Sequence, residues 1–556
     1  MSTTSRRQFL TGSISATGAI ALGASSCSVL SGEGEAAGSA ADGQEATLPT
    51  HIEASDPQVE AYYVSDVDEM PDVYTDNPTE FFQSVDRDPD DGGDTVTTFQ
   101  LMWGTPPVDR EQNEYWQELE KRLGVTFEPQ FVPAPTFDSK FSTMLASGNI
   151  PDLVFVDDQS ATQLQAIRDG AFADLSEVLG GDGIQKWPNL AARTPDIWQA
   201  SLKNGRIYQI PSAIARITNL VVMRRDAFEE TSIGPEPADA DELMTALTEI
   251  SQTTRDGQKI YGFTDVDKNR PLFYRLFRVG AEWQLDDSGK LVHMSETENY
   301  REMLEWLNAA WSAGVFDPNS LTPESENTAW RSALSYAAVT ETYGGSLFAD
   351  AAEQHDGAEL DYFSLPGFDG TAPLIIQNVP YGRSTAISSA AAEDEERLHR
   401  VLNVLDYLSA PWGSEENAFI GRGIEGRHWE YGEMDVSVPI EEHEEELGVE
   451  YVGVESGRPR YGAHPDAVDT AERFTEHMRT LVENSETRVL EGLESASETF
   501  IQKGPQLAEN LTDFENGVIS GRSDPSELSD FISTYMSQGG EDIRAEYETA
   551  LEEADR

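Results

Sequence analysis

Met144-Leu145-Ala146-Ser147-Gly148-Asn149-Ile150-Pro151-Asp152-Leu153-Val154-Phe155-Val156 is the stretch whose reading decides the fold. Phe137, Phe141, Met144 and Leu145 fall at helical spacing, so one face of a helix stays apolar up to Leu145. Gly148 supplies a stop, because glycine readily takes the left-handed backbone that ends helices. Residues 153–156 are short and wholly apolar, as expected of a strand buried on both faces. Upstream, residues 96–103 read as a strand running into Gly104-Thr105-Pro106-Pro107. Residues 111–123 read as a helix with Trp116, Leu119 and Leu123 on one face, ended by Gly124. Residues 125–131 alternate as a further strand. This β-α-β-α-β order predicts an α/β protein with a parallel-type sheet and right-handed crossovers. Ligands of such sheets bind beyond the carboxyl ends of the strands, and Trp103 with Gly104, and Asp157 with Asp158, fall at those ends.

The same stretch resembles the "M-L-A-S-G-x-x-P-D-hydrophobic" segment of extracellular solute-binding proteins of ABC importers, the large maltose-binding-protein-like group. Other matches follow in order. Gly170-Ala171-Phe172-Ala173-Asp174-Leu175 is similar to "G-x-F-x-D-L", and Asn204-Gly205-Arg206-Ile207-Tyr208-Gln209-Ile210-Pro211 to "D-G-K-I-Y-A-L-P". Met223-Arg224-Arg225-Asp226 is similar to "Y-R-K-D". Gly423-Ile424-Glu425-Gly426-Arg427-His428-Trp429 resembles the "G-I-E-G-x-H-Y/W" of longer, lipoprotein-type members. Asn516-Gly517-Val518-Ile519-Ser520-Gly521, then Gly539-Gly540-Glu541-Asp542, resembles the closing "I-I-x-G … G-x-D" pattern of these members. Each motif is weak alone; their collinearity over residues 96–556 is what speaks for fold and general role.

The resemblance implies a two-lobed periplasmic-binding-protein type II fold with a ligand cleft between α/β lobes. The expected division is residues 96–211 in the first lobe, 212–334 in the second, 335–385 in the first again and 386–556 in the second. The first crossing is placed just after Pro211. Residues 335–339 are expected to lead back into the first lobe and 384–388 to return to the second. The helix face carrying Leu402, Leu405, Tyr407 and Leu408 then falls in the second lobe. Function is closure around a solute and presentation of the loaded form to ABC permease subunits, with no bond broken and no cofactor.

Cleft residues follow from these placements. The large aromatics Trp103, Trp330, Tyr343, Tyr381 and Trp429 suit the apolar faces of sugar rings, while Asp157, Asp158, Asn219, Arg383 and Glu425 suit their hydroxyls. For each aromatic, core packing is the competing reading; Trp116, Trp306 and Trp311 lie in helical patterns and are assigned to the core. Glu425 and His428 either touch ligand or hold their glycine-bounded loop. Arg216 and Arg383 leave room for an acidic sugar, since arginine grips a carboxylate with two hydrogen bonds. A peptide ligand stays open, because one scaffold serves many solutes. A secreted polysaccharide-cleaving enzyme and a purely structural lipoprotein are the rivals from other classes.

At the N-terminus, Ser5-Arg6-Arg7-Gln8-Phe9-Leu10 reads as a twin-arginine export signal, with Arg6 and Arg7 as its core. The apolar stretch that follows is too short and too diluted by Gly12, Ser13, Ser15 and Gly18 to span a bilayer, which needs about 20 residues. Ala24-Ser25-Ser26-Cys27 resembles a lipoprotein signal-peptidase site, which makes residues 1–27 the signal and Cys27 the lipidated anchor; an ordinary cleaved signal is the alternative. Cys27 is the single cysteine, so no disulfide is available. Residues 28–95 are expected to form an acidic, flexible tether, with local structure near Tyr62, Tyr63, Phe81 and Phe82. The exported protein is thus expected at the cell surface or in the periplasm, on the outer face of the cytoplasmic membrane.

The formal net charge is −63, from 101 acidic against 38 basic residues. It argues against nucleic acid and anionic membrane as partners. The acids are spread along the chain, as solubility in a salty medium would require; Glu441-Glu442-His443-Glu444-Glu445-Glu446 reads as a solvated face rather than a metal site. No structural calcium is expected, since residues 254–262 offer too few oxygen ligands and Asp265-Val266-Asp267-Lys268-Asn269 lacks the later loop positions. The protein is expected to act as a monomer.

Overall fold

The strands that carry the architecture are β1 (Asp72–Tyr74), β2 (Thr95–Met102), β3 (Thr126–Pro133), β4 (Leu153–Val156), β5 (Ile210–Ala213), β6 (Asn219–Arg224), β7 (Val339–Tyr343), β8 (Leu360–Tyr362), β9 (Tyr381–Ile387) and β10 (Arg460–Gly462). The computed structural model describes residues 46–55, 59–67, 70–85, 94–156, 160–255, 258–286, 288–321, 338–343, 359–432, 437–453, 460–462 and 468–554. Arg6, Arg7, Cys27, Asp157, Asp158 and Trp330 lie outside these residues.

The first sheet has the order β3-β2-β4-β9-β5. β2 pairs in parallel with β3 and β4, while β9 runs antiparallel to β4 and β5. Local chemistry explains its flanking helices. Asn113 caps the helix Glu114–Leu123 by accepting the Trp116 backbone N–H at 2.7 Å, and Gly124 ends it at φ 71°. Its Tyr115, Leu119 and Leu123 pack into one core with Val96 and Phe127. Full burial of each such side chain contributes about 1.5–3 kcal/mol. The helix Phe137–Ser147 stops at Gly148, φ 71°, and lays Phe137, Phe141 and Met144 on Phe99, Val154 and Val156 of the other sheet face. All four residues of β4 are buried, as the apolar run predicts.

The second lobe is built on the antiparallel sheet β7-β6-β8. Its core gathers Phe228, Leu243, Leu247, Phe263, Phe273, Tyr300 and Leu304. Trp306 is buried there, donating to the Ala240 carbonyl at 3.1 Å, and Trp311 packs beside it.

Strand pairing corrects the expected division of the chain. The first crossing runs from Ala213 of β5 to Asn219 of β6. The expected return at 335–339 does not occur, because β7 and β8 both pair with β6 and keep the chain in the second lobe. The return comes between Ile376 and Tyr381, where β9 enters the first sheet. Residues 384–388 therefore do not lead out of the first lobe. Ser388 caps the next helical turn, Asp394 caps the helix Glu395–Leu408, and that helix buries Val401, Leu402, Leu405 and Leu408 against Val96 and Leu119. Of the expected second-lobe segment 386–556, the part up to Val452 belongs to the first lobe. The chain re-enters the second lobe at β10, and the helices Val468–Glu483, Glu498–Ile519 and Glu541–Ala554 complete it.

The expected tether over 28–95 is also corrected, for the described part from Ala46 to Val85. Ala46, Leu48 and Ile52 pack on the first-lobe core. Tyr63, Val67, Met70 and Val73 then join a second-lobe cluster, where β1 pairs in parallel with β10. Phe82 bridges to Ser414, and Glu416 takes hydrogen bonds from the Ser84 N–H, the Ser84 hydroxyl and the Val85 N–H at 2.9–3.2 Å, back on the first lobe. The physical reason is burial: Met70 and Val73 are at most 1% exposed, which a solvated tether does not allow. The segment thus straps one lobe to the other and back. A second contact between lobes comes from the helix Ala161–Arg168, which packs against Glu498–Ile519 while Arg168 donates to the Ser495 carbonyl.

Candidate functional site

The crossings at 213–219 and 376–381 use one edge of the first lobe. β4 ends at Val156, whose partner is Ser384, and β9 runs the opposite way. The first residues of β9 therefore lie at the carboxyl end of β4. β5 leaves by the same edge at Ala213, the partner of Tyr381. Trp103 follows Met102, the last residue of β2. Open parallel sheets hold ligands at this edge.

The segment 449–452 is fixed there by the sheet itself. Buried Gln100 donates to the Val449 carbonyl at 2.6 Å and accepts from the Val452 N–H at 3.3 Å, while the Thr385 hydroxyl donates to the Val452 carbonyl at 2.8 Å. These bonds present Glu450 and Tyr451. The Tyr451 ring stacks on Phe155 with centroids 6.0 Å apart, and the Arg383 guanidinium lies 4.5 Å from the Tyr451 centroid. Trp103 is 47% exposed, a large apolar ring left open to solvent. Glu450 is buried, and desolvation pushes its carboxyl up to about 7; the Tyr115 hydroxyl and the Arg383 charge oppose this more weakly. Although Tyr115 eases the carboxylate electrostatically, neither its hydroxyl nor Glu450 Oε2 has a hydrogen bond of good geometry.

Other residues expected in the cleft lie elsewhere. Tyr381 is buried beside Ile197 and Ala200; its hydroxyl sits 3.4 Å from both the Lys203 ammonium and the Ala200 carbonyl, so it is a core residue. Trp429 is buried too, donating to the Gly423 carbonyl at 3.2 Å within its own loop. Glu425 is exposed at the turn of that loop. His428 holds it together: Nδ1 accepts the Ile424 N–H at 3.0 Å and Nε2 lies 3.3 Å from Glu446. Arg216 is in the first crossing but already engaged, gripping Glu491 with bonds of 2.9 and 3.0 Å. Asn219 and Tyr343 are register partners at the end of the second-lobe sheet, and five residues separate Asn219 from Ala213 at the first-lobe edge. Trp103 and Arg383 thus lie at the first-lobe edge, and the backbones of Asn219 and Tyr343 at the end of the second-lobe sheet.

Tyr451, Phe155 and Glu450 escaped the sequence reading. The third crossing was expected at 384–388, so nothing drew residues 449–453 to the edge. The available signal was the pattern Val449-Glu450-Tyr451-Val452-Gly453, a short apolar alternation ending in glycine. Among the described residues no group of three His, Cys, Asp or Glu side chains is placed to hold a metal ion. The calcium-like stretch from Asp265 instead enters the helix Val266–Leu276, with Asn269 donating to the Asp265 carbonyl at 2.7 Å.

The sequence pattern of the bacterial extracellular solute-binding protein family matches residues 107–411. The chain belongs to this family. Among curated relatives, lipoprotein LipO of Bacillus subtilis (strain 168) is 22% identical over 461 residues, covering 79% of this chain and 89% of LipO. The polygalacturonan/rhamnogalacturonan-binding protein YtcQ of the same strain is 22% identical over 474 residues, covering 81% and 89%. Among solved structures, the S. pneumoniae ABC-transporter substrate-binding protein FusA in complex with kestose superposes with TM-score 0.61 at 15% identity, over 83% of this chain and 99% of that one. These likenesses agree with the two-lobed α/β fold. By this membership the chain is an extracellular solute-binding protein.

Trp103→Ala gives a direct test of the first-lobe edge. The ring is half in solvent and holds no core position, so the melting temperature is expected to stay within about 1 °C. Ligand affinity is expected to fall about three- to tenfold, the loss of one stacking contact. Calorimetric titration beside a thermal melt reads both; unchanged affinity would remove Trp103 from the site.

Proposed function

We propose that this solute-binding protein captures an oligosaccharide between its lobes and delivers it, as a monomer, to ABC permease subunits. One observation carries the reading: the exposed Trp103 ring and the Tyr451–Arg383 stack share the edge from which the lobes are connected. Aromatic faces cover the C–H faces of sugar rings, and the polar groups around them serve the hydroxyls. Solute touching both lobes stabilises the closed state by its differential affinity. Residues 214–218, joining the edge to Asn219, are short enough to act as a hinge. The sugar-related names of YtcQ and of the FusA complex support the same class of solute.

Export through Arg6 and Arg7 and anchoring through a lipid on Cys27 complete the proposal. Cys27→Ala is expected to release the protein from the membrane fraction into the medium or periplasm. Continued sedimentation with membranes would refute the anchor.

A thermal-shift screen of the mature protein against neutral oligosaccharides, acidic oligosaccharides and peptides tests the central reading. A solute that binds only the native state raises the melting temperature as its concentration rises. The expected result is a shift with one glycan class, with the glycan recovered intact. Cleaved glycan would favour an enzyme, and a shift with peptides alone would overturn the choice of solute.

A further inference from the structure

We propose that Arg383, braced by Tyr451, is a carboxylate-recognition site that makes the solute a uronate-containing oligosaccharide; this rests on the oligosaccharide reading above. The first support is the pairing of the other arginines. The chain has 101 acidic residues, and many of its arginines pair with one. Arg216, Arg224, Arg270, Arg397, Arg427 and Arg544 each form an ion pair. Arg383 is half-buried, yet its guanidinium makes no hydrogen bond or ion pair among the described residues.

The second support is geometric. The Tyr451 ring covers the Arg383 guanidinium at 4.5 Å and is itself backed by Phe155. A guanidinium held over an aromatic ring can still offer its N–H fork, which takes a carboxylate through two parallel bonds. Gln100 and Thr385 lock the segment that carries Tyr451, so the platform is preorganised. Position is the third support: Ser212, the register partner of Arg383, is the penultimate residue of β5 before the chain crosses to the second lobe. Arg216, the other candidate cation, is already saturated by Glu491. Glu450 feels the Arg383 charge, but no hydrogen bond joins the two among the described residues.

The probes are oligomers of galacturonate, mannuronate and glucuronate, each beside its carboxyl-reduced neutral counterpart of the same linkage. Affinities are read by calorimetric titration on the mature protein. At least one acidic oligomer is expected to bind, with its reduced counterpart about ten- to a hundredfold weaker, the range for a charge-assisted hydrogen bond. Arg383→Gln is expected to abolish that preference, with a thermal melt showing the variant folded. Arg383→Lys is expected to recover only part of it, since a point charge lacks the fork. Tyr451→Leu is expected to weaken the acidic oligomer more than the neutral one. Equal binding of acidic and reduced oligomers, or a preference that survives Arg383→Gln, overturns the carboxylate site. Neutral glycans binding while every acidic one fails would overturn it and leave the oligosaccharide reading intact; peptides binding in place of all glycans would overturn both.

Discussion

Glu450→Gln is expected to stabilise the protein at about pH 8.5 and to change little at about pH 5. Burial holds the Glu450 carboxyl near 7, against an ordinary value of 4.5. Its folded-state pKa therefore lies above its unfolded one. Below about pH 4.5 both states are protonated and the group is neutral in the balance. Between the two values the folded state binds more protons than the unfolded, so stability falls as pH rises. Above about 7 the fold has to carry a buried charge, at a cost on the order of 3 kcal/mol. Glutamine keeps the shape and removes the charge. Denaturation curves across about pH 5 to 9 should show wild type and variant diverging as pH rises, with the variant the more stable. Because the other acidic residues titrate in both proteins, the difference isolates Glu450. A difference that stays flat with pH would contradict the placement of this carboxyl.

Val73→Asp is expected to destabilise the protein by on the order of 3 kcal/mol, or to prevent folding, although Val73 lies in the segment whose composition reads as a tether. Val73 is 0% exposed, in a cluster with Met70, Tyr461 and Phe474. A carboxylate there would be desolvated inside an apolar cluster. Removal of residues 44–85 provides the companion test. It uncovers this cluster and leaves the buried Glu416 carboxylate without the Ser84 and Val85 donors. The truncated chain is expected to melt at least several degrees lower than the mature protein. A chain beginning near Val96 that melts at the wild-type temperature would return the segment to the status of a tether.

The two lobes differ in how much of them the sequence discloses. Helix stops at Gly124 and Gly148, the apolar run 153–156 and the alternation before it fix local elements whose signals are self-contained. β9 was harder to place. Its residues would suit either lobe, and only antiparallel pairing with β4 and β5 assigns them. The same holds for the helix Glu395–Leu408, whose apolar face is visible but whose target is not. The strap was hidden for a different reason: many acids surround a few apolar residues spaced for contact with two separate cores, so average composition outweighs Met70, Val73 and Val85.

Trp103 and Arg383 could be placed at the first-lobe edge from sequence because each adjoins a strand end. Tyr381 and Trp429 were misread because an aromatic near a crossing packs inward as readily as outward; Tyr381 closes over Ile197, and Trp429 is tied to Gly423. Arg216 shows that a cation in the right place can already be spent on a neighbour, here Glu491. Tyr451 stayed invisible because its role depends on a hydrogen-bonded anchor, Gln100, that is far away in sequence.

Small-angle scattering of the mature protein, with and without the best oligosaccharide from the thermal screen, tests the central claim most directly. Closure of the lobes on a glycan predicts a smaller radius of gyration on loading, saturating at the same concentration as the thermal shift, with the glycan recovered uncut. An unchanged radius despite saturated binding, or glycan returned in fragments, would contradict capture by closure.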